Sequence, residues 1–408
     1  MKKEQLQKYA ELLAKVGLNV QKGQTVFVEA GLDQPDFVTM VVEECYKAGA
    51  SEVFVDWSHQ PVAKLNSNYR TLESLSTLNP WIKAKWEFKA QNYSCRLWIE
   101  SEDPDGMKGA DQEKLSKARQ AMYPQIKPFR TALENKHQWC IAAVPGKAWA
   151  KKVFPNLSED AAMEAMWDVI LHTSRADGDD PVAAWQEHND DLDKRCAYLN
   201  GLGLKYLEYK SANGTDLKVE LLEDGIFAGG NEKTLQGNVF NPNIPTEEVF
   251  TSPKAGAAEG IVYSTKPLSY MGELIENFSM RFENGKIVEV TAEKGEDLLK
   301  KMVSMDEGAG MLGECALIPY DSPINESGVL FYNTLFDENA SCHFAVGHGF
   351  NECLKGFENM TDEECKAKGI NDSMIHVDFM IGSRDMSIVG VTKDGKRVQI
   401  FENGNWAF

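Results

Sequence analysis

From the N-terminus to Pro145, apolar positions fall into short β-rich runs separated by stretches of helical spacing. Leu6, Tyr9, Leu12, Leu13 and Val16 recur at intervals of three and four, which predicts an amphipathic helix at the start of the chain. Gln24–Ala30, Ser51–Trp57, Arg96–Glu100 and Gln138–Pro145 are rich in β-branched and aromatic residues and read as strands. Between them, Asp36 to Lys47 has helical periodicity and stops at Gly49, and Gln112 to Lys136 is a long amphipathic stretch. Strands that alternate with helices imply a parallel sheet covered by helices. No Gly-x-Gly-x-x-Gly follows the first strand, where Gly31 stands almost alone, so this alternation is no argument for a dinucleotide site.

Ser158 to Leu199 reads as charged helix broken at Asp177-Gly178-Asp179-Asp180-Pro181. Past Asn200-Gly201 the pattern changes to strands and tight turns. Asn284-Gly285 lies between Ser279–Phe282 and Ile287–Val290, and Asp394-Gly395 between Ile388–Val391 and Val398–Phe401. Both are hairpin signatures, because a two-residue turn needs positive φ, which Asn, Asp and Gly tolerate. The expected architecture is α/β overall. A parallel-sheet α/β domain spans residues 1–199, followed by a β-rich α+β domain over residues 200–408 that carries the chemistry.

Charge narrows the partners. Lys and Arg number 43 against 62 Asp and Glu, a net charge of −19, which disfavours nucleic acid and anionic membrane surfaces. Lys2 and Lys3 are followed by no apolar signal-peptide core, and no run approaches the length of a membrane span. Eight scattered cysteines with no Cys-x-x-Cys pair suggest buried free thiols and a cytoplasmic location.

The candidate chemistry lies in the second half. In Ile375–Ile381, period-two alternation puts His376 and Asp378 on one face and Val377 and Phe379 on the other. Such a pair serves either as two ligands of one cation or as a structural His–Asp hydrogen bond. Thr334–Phe344 sets Asp337, Glu338, Asn339 and His343 among apolar residues. Glu314 alone interrupts the apolar run Met311–Leu317, and Glu247 and Glu248 sit between Pro245 and Pro253. Buried carboxylates need a partner, and a metal ion is one. Carboxylates and imidazoles without clustered thiolates suit Zn²⁺, Co²⁺ or Mn²⁺ in a hydrolytic site. The acids are too many for one tetrahedral ion, which makes two ions sharing a carboxylate plausible.

Over Pro245–Pro253, Leu312–Glu314, Thr334–Gly347 and Ile375–Ser383 the chain resembles the dinuclear metalloaminopeptidases of the aminopeptidase T, aminopeptidase S and PepS family. The likeness extends upstream through Leu6–Leu13 and Trp149-Ala150. It implies two divalent ions, Zn²⁺ or Co²⁺ with Mn²⁺ or Mg²⁺ as further options, held by Glu248, Glu314, Glu338, His343, His376 and Asp378. Glu314 would bridge them. It also implies a homodimer acting on short peptides with a free N-terminus. The expected reaction is removal of the N-terminal residue by metal-activated water. Glu247 is a weaker choice for the general base, because a neighbour on an extended chain points away from Glu248.

One departure matters. Where the family pattern carries tyrosine, this chain has Phe350, in Ala345-Val346-Gly347-His348-Gly349-Phe350. A phenol there could donate to the tetrahedral oxyanion, and losing such a donor costs about 10²–10³ in rate. His348 is a candidate replacement, with an exposed loop residue as the plainer reading. The alternatives are a dinuclear hydrolase of another small substrate, and a weakly active or non-catalytic peptide-binding relative.

Overall fold

Val26 and Val28 lie in register with Val53 and Val55 on one side and with Cys95 and Leu97 on the other. This ladder is the centre of a four-stranded parallel sheet in the computed structural model, which describes residues 3–408. Its strands are Thr25–Gly31, Glu52–Ser58, Cys95–Glu100 and Trp139–Ala143, each within two residues of the run predicted for it. The helix Pro35–Ala48 ends at Gly49, whose φ of 116° suits a residue without Cβ. The first helix, Lys3–Leu12, buries Tyr9 and Leu12 and continues as a π-helical turn, Leu13–Gly17.

The chain divides into two units, one of residues 1–187 and 231–245, the other of residues 188–230 and 246–408. The division at Glu187–His188 falls inside the helix Pro181–Gly201, whereas the change in turn content pointed to 199/200. Asn231–Pro245, which sequence order assigns to the second half, groups with the first unit.

The second unit is built on antiparallel sheets. The larger contains both predicted hairpins: Glu273–Glu283 with Lys286–Lys294, and Ser387–Thr392 with Arg397–Glu402. At the first, Asn284 and Gly285 have φ of 50° and 72°, as a tight hairpin turn requires. The smaller sheet orders its strands His376–Met380, His343–Gly347, Leu312–Leu317, Val249–Thr251 and Ala228–Gly229. One face of it packs on the larger sheet. The Phe344 ring meets Tyr209 at 4.8 Å between centroids, and Phe379 meets Phe278 at 5.8 Å. Cys315, Leu317 and Val346 belong to the same buried cluster.

Phe379 is fully buried on the face opposite Asp378. Phe379→Ala is therefore expected to destabilise the protein by about 3–5 kcal/mol, read as a fall in the urea midpoint. An unchanged midpoint would contradict this packing.

Candidate metal centre

The other face of the smaller sheet is shaped by register. Glu314 lies opposite Ala345, and Ala345 opposite Asp378; His376 lies opposite Gly347. His343, Ala345 and Gly347 share one face of the middle strand, so two small residues leave a hollow between acids and imidazoles. A bulge decides the direction of Glu314. Leu312 pairs with Val346, and continuing that register would place Glu314 opposite Phe344, on the core side. The register instead shifts between Leu312 and Glu314. Gly313 permits the shift, because a Cβ there would lie 2.3 Å from the carbonyl oxygens of Gly347 and His348. Leu312, Cys315 and Leu317 then all reach the core, and Glu314 turns to the hollow.

Glu248 arrives on the segment before Val249–Thr251. Its neighbour Glu247 donates its backbone N–H to Asn339 Oδ1 at 2.8 Å, and the Asn339 amide donates to the Leu335 carbonyl at 2.9 Å. Asn339 is completely buried, so it pins this segment to the helix Thr334–Glu338. Asp337 closes the loop before that helix by accepting the N–H groups of Phe331 and Asn333. Burial, countered by these bonds, leaves its pKa raised to about 6.

Both histidines are oriented through Nδ1. His343 Nδ1 lies 2.8 Å from the Glu338 carbonyl, and His376 Nδ1 lies 2.7 Å from the His348 carbonyl. A carbonyl only accepts, so Nδ1 carries the proton and Nε2 is turned toward the acids. His343 Nε2 is 3.6 Å from Glu248 Oε2 and 4.0 Å from Asp378 Oδ1. His376 Nε2 is 3.1 Å from Glu314 Oε2 and 3.2 Å from Asp378 Oδ1. An imidazole fixed by a carbonyl at one nitrogen and offered among carboxylates at the other is the usual arrangement of a metal ligand.

Two triads result, Glu248 with Glu314 and His343, and Glu314 with His376 and Asp378, each with donor atoms within 4.8 Å of one another. Glu314 belongs to both. Burial, with the charges of Glu314 and Asp378, raises Glu248 well above the usual carboxylate range. Burial and Asp378 do the same to Glu338. Burial opposes a charge on His376, but Asp378 and Glu314 outweigh it and raise that imidazole. Asp378 would also rise with burial, but His376 holds it down to about 2. Asp378 Oδ1 is buried and accepts no hydrogen bond from the described residues. Hard carboxylate oxygens with imidazoles fit a divalent cation.

Five of the six expected ligands thus converge in the two triads. Glu338 belongs to neither, although its half-buried carboxyl lies close enough to feel Asp378, Glu248 and Glu314. His348 is exposed and meets the site through its carbonyl to His376. The Phe350 ring lies 4.8 Å from the His376 ring, and its backbone N–H is held by buried Ser252 Oγ at 2.7 Å. Glu247 turns away, its carboxylate 3.8 Å from His188 Nε2. Two supports had no signal in the sequence. Ser252 is one, and buried Asn371, whose amide donates to the Gly347 and Gly308 carbonyls at 2.6 and 2.9 Å, is the other.

The profile of a family described as thermophilic metalloprotease (M29) matches residues 2–406. Aminopeptidase AmpS of Bacillus subtilis (strain 168) is 44% identical over 406 residues, covering 99% of each chain. Aminopeptidase PepS of Streptococcus thermophilus is 44% identical over 406 residues, 99% of this chain and 98% of the relative. The solved structure of wild-type AmpT from Thermus thermophilus superposes with a TM-score of 0.90 at 38% identity and covers 100% of both chains. With a matching profile over nearly its whole length and relatives this similar end to end, the chain belongs to the M29 family of metalloproteases.

Proposed function

We propose that this metalloprotease is an aminopeptidase that removes the N-terminal residue of short peptides at a pair of divalent ions. The observation that carries the two-ion reading is Glu314, the one carboxylate common to both donor triads. Glu248 and His343 would complete one position, His376 and Asp378 the other, with Glu338 beside them. Divalent ions bound there, Zn²⁺ or Co²⁺ before Mn²⁺ or Mg²⁺, would polarise a carbonyl and acidify a water. The chain's own part is placement. The Glu338 and His348 carbonyls hold a proton at Nδ1 of each imidazole and leave Nε2 as the atom turned to an ion, and Asn339 fixes the approach of Glu248. The acidic surroundings favour a cationic α-amine. Family resemblance adds a homodimer. Eight free cysteines fit a reducing cytoplasm. No helix among the described residues is long and apolar enough to cross a membrane.

Phe350 supports the second reading, a slow or non-catalytic peptide binder, because its ring packs on His376 without a hydroxyl to offer. Phe350→Tyr is expected to raise kcat at least about tenfold, part of the 10²–10³ that one oxyanion donor contributes, with KM little changed. A kcat that stays flat would show that another group already fills that role.

The aminopeptidase reading is tested with metal-stripped protein and di- to pentapeptides. Adding Zn²⁺ or Co²⁺ should release free N-terminal residues and leave N-acetylated peptides intact, and Glu314→Gln should lower kcat/KM by at least about 10³. Release without metal, or from blocked peptides, would refute it.

The acids also predict a pH dependence for the metal-stripped fold. Glu248 and Glu338 have raised folded pKa values, so their contribution to stability is present in acid and lost as pH rises through those values. Asp378, lowered to about 2, acts in the opposite sense and loses its contribution as pH falls from 3.8 toward 2. The melting temperature of stripped protein should therefore decline as pH rises from the ordinary carboxylate range into neutrality, and added Zn²⁺ should flatten the decline. A stripped protein whose melting temperature ignores pH over this span would contradict the described crowding of acids.

A further inference from the structure

In a chain of net charge −19, two cations of the second unit line one cavity, and neither forms an ion pair with a described residue. The cavity measures about 950 Å³ and is bordered by Lys266, Arg384, Tyr320 and the turn Gly328–Leu330. Among the described residues Lys266 and Arg384 have neither a hydrogen bond nor an ion pair; Arg384 only lies over the Tyr320 ring, at 5.8 Å. Lys266 is half-buried, and loss of water lowers its pKa, with Asp337 opposing. A half-buried ammonium with no ion pair is less well solvated than a free one, and an anionic ligand would stabilise it.

The strand that carries His376 and Asp378 ends beside the segment that carries Lys266. The backbone N–H of Thr265, next to Lys266, donates to the Met380 carbonyl at 2.9 Å. Met380 is two residues beyond Asp378, about 6.6 Å along a strand. From the other side, Asp337 feels Lys266 while its neighbour Glu338 feels Asp378 and Glu248. The turn that borders the cavity runs into Phe331, whose N–H is held by Asp337. Two strand residues, one hydrogen bond and the lysine side chain link Asp378 to Lys266 Nζ, and three or four extended residues span about 10–14 Å.

Charge selects the ligand. A guanidinium and an ammonium suit a planar monoanion such as a carboxylate. Exposed Asp321 and Glu326 on the same cavity disfavour a dianion such as phosphate. We infer that the Lys266–Arg384 cavity binds the C-terminal carboxylate of a short peptide whose N-terminus lies at the donor cluster. The inference rests on the aminopeptidase reading for the position of the N-terminus. It gives that reading a physical basis for short substrates, which would be held at both ends.

The test is calorimetric titration of the metal-loaded protein with N-acetyl-Ala-Ala-Ala and with its C-terminal amide. The acid should bind about tenfold tighter than the amide, as a charge-assisted contact implies. The difference should vanish in Lys266→Met/Arg384→Met and survive in Lys266→Arg/Arg384→Lys, which keeps both charges. With unblocked Ala-Ala-Ala, amidation should raise KM by a similar factor and leave kcat unchanged. Equal binding of acid and amide, a preference that persists in the methionine variant, or an unchanged KM on amidation would each overturn the inference. Failure of the aminopeptidase reading would look different: no peptide would be turned over with any metal, and the binding comparison would still be decisive for the cavity.

Discussion

Three buried acids are gathered with two imidazoles at one face of a five-stranded sheet, and the repulsion between the acids is the constraint on which the rest of the site depends. Burial penalises each charge, and neighbours of like sign add to the penalty, which is why Glu248 and Glu338 are both pushed toward protonation. His376 offsets this in part at Glu248 and Glu338 and outweighs it at Asp378. A protein carries such a cluster when a cation resolves it. The M29 family is one of metalloproteases, which agrees with that chemistry.

The fold supports the cluster by local devices rather than by a dedicated domain. Alanine and glycine at 345 and 347 make room; a bulge at Gly313 turns Glu314 out of the core; buried Asn339 ties the Glu248 segment to the helix beside it. Carbonyls of Glu338 and His348 set the tautomers of both histidines. The opposite face of the same strands is aromatic core, so the sheet is rigid where the donors project. Preorganisation of this kind lets donors meet a metal or substrate with little rearrangement.

Period-two alternation was enough to place His376 and Asp378 together, because the strand His376–Met380 is regular. Hairpins at Asn284-Gly285 and Asp394-Gly395 were equally legible, since turn chemistry is local. Glu314 was visible only as an acid in an apolar run. Its direction depends on a bulge, and a bulge is set by the partner strand. The unit division was hidden for a related reason. Asn231–Pro245 groups with residues 1–187 through non-local contacts that composition does not register. Asn339 stood in a conspicuous polar segment, but its work is done by a backbone contact with Glu247, far away in sequence.

The central claim is that one carboxylate serves two ions. Its most direct measurement is anomalous diffraction from crystals grown with Zn²⁺ or Co²⁺, recorded on both sides of the metal edge. The account predicts two peaks per chain, about 3.5–4 Å apart as in known two-metal sites, with Glu314 touching both. A single peak, or two peaks that do not share Glu314, would contradict it.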